Sequence, residues 1–227
     1  MGLADLIFPR LCLGCKKEGR YLCDTCLQKV WFPKPICPVC TRASIDGMTH
    51  IRCQRPQNLD GLISLWRYDG VVRKAILGLK YKFALEIAHE LADLVIDVLK
   101  NHNSSFIFHN SFILVPIPLH WQRENWRGFN QEREIGKIMA RKIGWKFIPD
   151  LLIRKSSTVP QAELKREQRL TNVRDVFTLN SNYKILNTKY SILLFDDVWT
   201  TGSTMREAAK VLKRNGFKHV WGLTLCR

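Results

Sequence analysis

The segment SILLFDDVWTTGST, residues 191–204, begins as an apolar run of strand length and closes in the acidic pair Asp196-Asp197. Three residues later Thr200-Thr201-Gly202-Ser203-Thr204 opens a helix. Its apolar face is Met205, Ala208, Ala209 and Leu212, and it ends at Asn215-Gly216. A buried strand feeding a helix through a short loop is the repeating unit of α/β proteins. Open α/β sheets bind ligands at the carboxyl ends of their strands, which is where Asp196 and Asp197 fall. Backbone amides at a helix N-terminus, helped by clustered hydroxyls, hold a monoanion. Gly202 lets the main chain come close to it. The loop therefore offers donors to a phosphate and acceptors to hydroxyls. That pairing suits a ribose 5-phosphate, with the phosphate on Thr200, Thr201, Gly202, Ser203 and Thr204 and the 2′- and 3′-hydroxyls on Asp196 and Asp197. An acidic pair at a strand end also arises as a plain solvated cap, but the Thr-rich turn that follows favours a ligand. The G-x4-G-K-[ST] pattern is absent, which excludes a P-loop NTPase.

Working outward, the same alternation repeats. Leu85, Ala88, Leu91, Val95 and Leu99 recur at helical spacing and predict a helix over 84–99, ended by Asn101 and Asn103. A strand is expected at Phe112–Ile117, closing in Pro116-Ile117-Pro118. A second helix is expected at Asn130–Ile143, with the stripe Ile135, Ile138, Met139 and Ile143 and Gly144 as C-cap. A last strand spans His219–Leu225. The expectation is a parallel α/β sheet over residues 59–227, flanked by helices.

The loop before the second helix carries Arg123, Arg127, Gly128, Asn130 and Gln131, interleaved with Trp121, Trp126 and Phe129. Arginine forks bind phosphate oxygens in pairs. Arginine beside aromatic rings is also how single-stranded nucleic acid is held, by charge along its backbone and rings on its bases. One or more of the rings equally serves as core. The polar stretch 154–174 (Arg154, Lys155, Pro160, Lys165, Arg166, Arg169, Arg174) reads either as a lid that excludes water or as a solvated face.

Residues 1–58 are different in kind. Seven of the eight cysteines lie between Cys12 and Cys53. Cys12-x2-Cys15 and Cys23-x2-Cys26 are two knuckles, the arrangement that brings four thiolates to a tetrahedral Zn²⁺. Gly14 and Gly19 supply turns. Disulfides compete as an explanation but suit an oxidising compartment. For the second cluster two readings stand: Cys37, Cys40, His50 and Cys53 form a Cys₃His site, or His50 is a solvated loop residue and the second site is incomplete. A closed four-ligand site has no open position for chemistry, so the head is structural, folded largely by its metal.

Composition sets the outer limits. Across 227 residues, 46% hydrophobic and 25% charged content is ordinary for a globular protein and excludes disorder, collagen and coiled coil. No apolar run approaches the ~20 residues of a membrane span. Asp5 interrupts the first apolar stretch, so a secretory signal is not expected and the cytoplasm is. The net charge of +16 favours polyanionic partners. The excess is uneven: residues 121–174 hold 13 Lys/Arg against 6 Asp/Glu, whereas 59–120 balance at 6 each.

Three stretches carry a resemblance. The run LLFDDVWTTGST resembles the phosphoribosyl pyrophosphate (PRPP) signature of type I phosphoribosyltransferases. VPIPLHWQRENWRGFNQ (115–131) resembles a hallmark of the ComF competence family. QAELKREQRLTNVRDVF (161–177) is similar to that family's flexible loop. With the cysteine head in front, the resemblance to ComF/GntX proteins spans nearly the whole chain. In one place the chain departs: many relatives carry a further C-x2-C where it has Cys53-Gln54-Arg55-Pro56, which bears on the second metal. The resemblance implies a type I phosphoribosyltransferase-like fold and PRPP with Mg²⁺ on Asp196, Asp197 and 200–204. It places the pyrophosphate loop at Arg123, Arg127, Gly128, Asn130 and Gln131. It also implies a cytoplasmic role in natural transformation, handling incoming single-stranded DNA.

Two other functions follow from the same residues. One is an active transferase moving a phosphoribosyl group from PRPP to a nucleobase-like acceptor, for which no catalytic residue and no base pocket can be named. The other is an interaction module whose zinc head docks a helicase or another DNA-uptake protein. Folds of this type often form homodimers.

Overall fold

The computed structural model describes residues 9–79, 84–101, 112–119, 130–155, 176–183 and 190–227. In chain order the elements are α1 (Asp24–Leu27), β1 (Gly61–Trp66), α2 (Gly70–Gly78), α3 (Ala84–Asn101), β2 (Phe112–Pro116), α4 (Gln131–Ile143), β3 (Lys146–Phe147), β4 (Leu152–Arg154), β5 (Phe177–Leu179), β6 (Ser191–Val198), α5 (Ser203–Arg214) and β7 (Val220–Cys226). Five strands form one sheet in the order β1-β7-β6-β2-β3, and every neighbouring pair is parallel. β4 and β5 make a separate antiparallel pair. The expected parallel α/β sheet with flanking helices is thus present.

Alternate residues of a strand face opposite sides of its sheet, and β6 shows what each side meets. Leu193 and Phe195 join one core with Ala75 of α2, Leu91 and Val95 of α3, and Ile135 and Met139 of α4. Ile192 and Leu194 join the other with Met205, Ala208 and Leu212 of α5. A strand covered on both faces reads as an unbroken apolar run, and ILLF is one. Full burial of a side chain such as Leu212 stabilises the fold by ~1.5–3 kcal/mol.

The cysteine head straddles the β1 edge of this sheet. Cys12, Tyr21 and Leu22 belong to the core on the α3 face, whereas Ile36 belongs to the core on the α5 face. The lead-in to the Cys23-x2-Cys26 knuckle is tied to α3 by two carboxylates. Glu90 accepts from the Tyr21 N–H at 3.1 Å and the Leu22 N–H at 3.0 Å. The Tyr21 hydroxyl donates to Glu86 at 2.9 Å. Met48 bridges Gly61 at the start of β1.

The expected elements are present with small shifts. α3 runs to Asn101, and β6 continues through the acidic pair to Val198. β7 begins one residue later than expected, at Val220. Gly144 caps α4 in the left-handed conformation at φ 84°. One stripe residue needs correction: Leu85 is 56% exposed, and Ile87 takes its place in the core beside Ala88 and Leu91. Arg123, Arg127, Gly128 and the stretch 156–174 lie outside the described residues. Among the described residues no helix is long and apolar enough to cross a membrane.

Candidate functional site: an anion loop, a carboxylate cluster and two metal clusters

β6 and β2 lie side by side, with Phe195 level with Pro116. The helices that follow, α5 and α4, therefore bring their N-termini to the same edge of the sheet. Asn130 is the N-cap of α4: its carbonyl oxygen accepts from the Arg133 N–H at 3.0 Å, and its amide reaches the Ile117 carbonyl at 3.5 Å. Its side chain is thus spent on joining α4 to the end of β2. Gln131, the next residue, is 3% exposed.

This junction delivers a residue that sequence reasoning missed. Glu132 is 4% exposed, and its carboxylate gathers with those of Asp196 and Asp197, ligand oxygens all within 4.8 Å of one another. Burial, and then the charges of Asp197 and Glu132, push the Asp196 carboxyl well above its ordinary range. Asp196 and Asp197 also accept from the amides of Asp197 and Val198, at 3.0 and 2.6 Å, which fixes their orientation. Three crowded carboxyls favour a divalent cation, whose oxygen ligands sit ~2.1 Å away for Mg²⁺. The sequence signal for Glu132 was faint: an acid in the first turn after a capping Asn, on a different helix from the acidic pair.

The loop after β6 is held from below. Gly202 is the N-cap of α5 at φ 73°. A Cβ there would fall 2.1 Å from the Trp199 ring, and Trp199 is itself buried. The Thr201 and Ser203 hydroxyls lie 3.0 Å apart. The first helical bond of α5 runs from the Arg206 N–H to the Gly202 carbonyl at 2.9 Å, so the amides of 203–205 precede it in the turn where helix donors lack intrahelical acceptors. Thr200 is exposed and Thr204 half-buried. All five loop residues of the expected anion site therefore line one turn beside the carboxylates.

In the head, the ligand atoms of Cys12, Cys15, Cys23 and Cys26 gather within 4.8 Å, and so do those of Cys37, Cys40, His50 and Cys53. Cys15 and Cys23 Sγ are 3.5 Å apart, close to the ~3.8 Å that tetrahedral Zn–S bonds of ~2.3 Å require. Gly14 is required by this packing, because a Cβ there would lie 2.6 Å from Cys26 Sγ. In the second cluster His50 Nδ1 is 3.3 Å from Cys40 Sγ, and Nε2 is 3.0 Å from the Ala43 carbonyl. A proton on Nε2 donated to that carbonyl leaves the Nδ1 lone pair facing the thiols, the usual tautomer-setting contact of a metal-bound histidine. The H-x2-C pair thus completes the set that the missing fourth knuckle left open.

Each cluster divides its thiols. Burial raises Cys12, but backbone hydrogen bonds from Cys23, Cys15 and Gly14 outweigh it and bring the thiol down to about 6. Cys37 comes down to about 7 because backbone bonds from Cys40, His50 and Val39 likewise outweigh its burial. Burial and the neighbouring thiols push Cys26 up to about 12 and raise Cys53. One thiol ionises readily and its neighbours give up their protons to a bound cation, as Zn²⁺ ligands do.

Residues 3–55 match the family model described as a double zinc ribbon domain. The DNA utilization protein YhgH of Salmonella typhimurium is 30% identical over 98% of this chain and 99% of its own length. The chain belongs to the ComF/GntX family. Within it, competence protein F of Haemophilus influenzae is 26% identical over 94% of this chain and 89% of its own length. Competence protein ComFC of Bacillus subtilis is 28% identical over 86% and 78%. The matches run through both the cysteine head and the sheet. Zn²⁺ suits the donor sets of the head.

Proposed function

We propose that this chain is a ComF-like protein of natural transformation that handles single-stranded DNA and binds PRPP, or a related sugar phosphate, at the edge of β6. The observation that carries the ligand reading is the juxtaposition of the Thr200–Thr204 turn with the Glu132, Asp196 and Asp197 carboxylates. The turn donates amides and hydroxyls to the 5-phosphate. Asp196 and Asp197 accept from the ribose hydroxyls, and Glu132 joins them around the Mg²⁺ that accompanies PRPP. Cys12, Cys15, Cys23 and Cys26 hold one Zn²⁺; Cys37, Cys40, His50 and Cys53 hold a second. Residues 1–58 form a metal-organised head on a ligand-binding body, 59–227.

The competence and DNA-utilization names of the relatives and the net charge of +16 support a role in DNA uptake in the cytoplasm. Arg123, Arg127 and Gly128 belong to the strand-contacting or pyrophosphate-contacting loop in this reading. Isothermal calorimetry with PRPP and Mg²⁺ tests the site. Binding that Asp197→Ala abolishes supports it, and equal binding by that variant overturns it. Pyrophosphate release across a nucleobase panel then decides whether the bound PRPP is also turned over.

A further inference from the structure

Arg206 stands between two sites that are far apart in sequence. It lies in the first turn of α5, directly after the anion loop. Its Nε donates to the Pro38 carbonyl at 2.7 Å, and its Nη1 donates to the Thr201 carbonyl at 3.0 Å. Pro38 sits inside the Cys37-x2-Cys40 knuckle, between two ligands of the second cluster. Thr201 is in the middle of the anion loop. The guanidinium also lies over the Trp199 ring, 5.3 Å from its centroid, and that ring fills the space under Gly202. One planar cation thus touches the knuckle, the loop backbone and the aromatic floor that supports the loop.

These contacts are not surface decoration. Burial lowers the Arg206 pKa, while the nearby Cys37 charge works in the opposite direction. A half-buried guanidinium held by directed bonds to two carbonyls is costly to strip of either. The knuckle contributes geometry as well as an acceptor. The Thr41 N–H donates to the Cys37 carbonyl and the Cys37 N–H donates to the Arg42 carbonyl, both at 2.9 Å. The turn that presents the Pro38 carbonyl is therefore set by the same backbone that aims the Cys37 and Cys40 thiols.

We propose that Arg206 is a positioning residue that couples the second metal cluster to the anion loop, so that order in either site is transmitted to the other. Metal in the Cys37, Cys40, His50 and Cys53 cluster fixes the Pro38 carbonyl; Arg206 then holds the Thr201 carbonyl and the turn above it. Coupling of this kind is reciprocal, so a ligand in the loop raises the affinity for the second metal by the factor by which that metal tightens the ligand. The first cluster, bound to α3 through Glu90 on the other face of the sheet, lies outside the link. The identity of the loop's ligand rests on the sugar-phosphate reading above, whereas the contact between cluster and loop does not.

Hydrogen exchange on the full-length zinc-loaded protein tests the contact without any ligand. His50→Ala, which removes a ligand of the second cluster only, is expected to speed exchange of the 203–206 amides at least tenfold while the α4 amides keep their rates. Arg206→Ala is expected to do the same. The double variant should match either single one, because both cut the same link. Arg206→Lys keeps the charge but loses the fork, and should resemble Arg206→Ala; if Arg206→Ala does not fold, Arg206→Lys takes its place in the comparison. Unchanged loop exchange in His50→Ala, or faster exchange spread evenly through the sheet, overturns the proposal. In a second arm a chromogenic chelator competes for zinc at equilibrium with and without PRPP and Mg²⁺. Tighter zinc retention by the second cluster alone, lost in Arg206→Lys, supports the coupling. PRPP that binds yet leaves both zinc affinities unchanged overturns it. PRPP that fails to bind the parent protein overturns the ligand reading instead and leaves the exchange result to decide the coupling.

Discussion

The Trp199 ring fills the space beneath Gly202, so that a Cβ on that glycine would fall 2.1 Å from the indole. Position 202 also holds φ at 73°, a conformation that costs an L-residue ~1–2 kcal/mol. Gly202→Ala therefore combines backbone strain with a clash against a buried ring. Urea unfolding should show a loss of ~2–5 kcal/mol, given a further ~1–3 kcal/mol for overpacking, and calorimetry should show PRPP affinity down at least tenfold.

Asp196 supplies a prediction with a definite sign. Its carboxyl is raised above the ordinary value by burial and by Asp197 and Glu132, so the folded state holds that proton more tightly than the unfolded chain does. The associated stability is complete below the ordinary carboxylate range and is lost as pH rises through the elevated pKa. Asp196→Asn removes that loss. Thermal unfolding should show the variant more stable than the parent at pH 8, with the difference fading as pH falls towards 4. The same variant should lose PRPP binding at least tenfold in the presence of Mg²⁺.

Metal content should follow the two clusters. Native mass spectrometry is expected to return two zinc ions per chain, and His50→Ala or Cys53→Ser one. Because zinc displaces protons from thiols as high as Cys26, near 12, zinc retention should fall as pH is lowered. Acid titration with a zinc indicator measures this.

Glu90 fastens the lead-in to the Cys23-x2-Cys26 knuckle to α3 through two amide donors. Glu90→Gln exchanges one acceptor oxygen for an NH₂ that faces a donor. A loss of ~1–3 kcal/mol in urea unfolding is expected for a poorly satisfied amide, together with faster chelator withdrawal of the first zinc and little change at the second.

Single-stranded DNA binding should depend steeply on salt, since each phosphate contact adds about −0.7 to the slope of log K against log salt. Arg123→Ala with Arg127→Ala should lower affinity and flatten that slope by about 1.4, measured by fluorescence anisotropy on an oligothymidine. Binding that ignores salt would remove DNA handling from the proposed function.

Much of this architecture was legible because one signal repeats: an apolar run, a loop, an amphipathic helix. That signal sufficed for β6, α5, β2, α4 and β7. It failed for β1, where Gly61 and Ser64 dilute the apolar run, and for α2, whose nine residues begin and end in glycine. Leu85 has the right spacing and the wrong environment, because helical phase does not say where the neighbouring layer stops. The cysteine spacing picked out Cys12, Cys15, Cys23 and Cys26 and left the second group open, because the orientation of His50 depends on the Ala43 carbonyl, which no spacing rule reports. Glu132 and Arg206 were invisible for the same reason. Each matters through a group on a distant element, Asp196 for one and Pro38 for the other, and only the folded sheet brings them together.

The pairing of β1 with β7 has a consequence for biosynthesis. Ser64 and Thr224, whose hydroxyls meet at 2.9 Å, are 160 residues apart, so the strand that follows the cysteine head waits for nearly the whole remaining chain to leave the ribosome before its partner exists. Such long-range closure is slow. During that wait zinc uptake by the head gives the nascent N-terminal segment order of its own, so the share of chains that escapes proteolysis is expected to fall when zinc is withheld during synthesis.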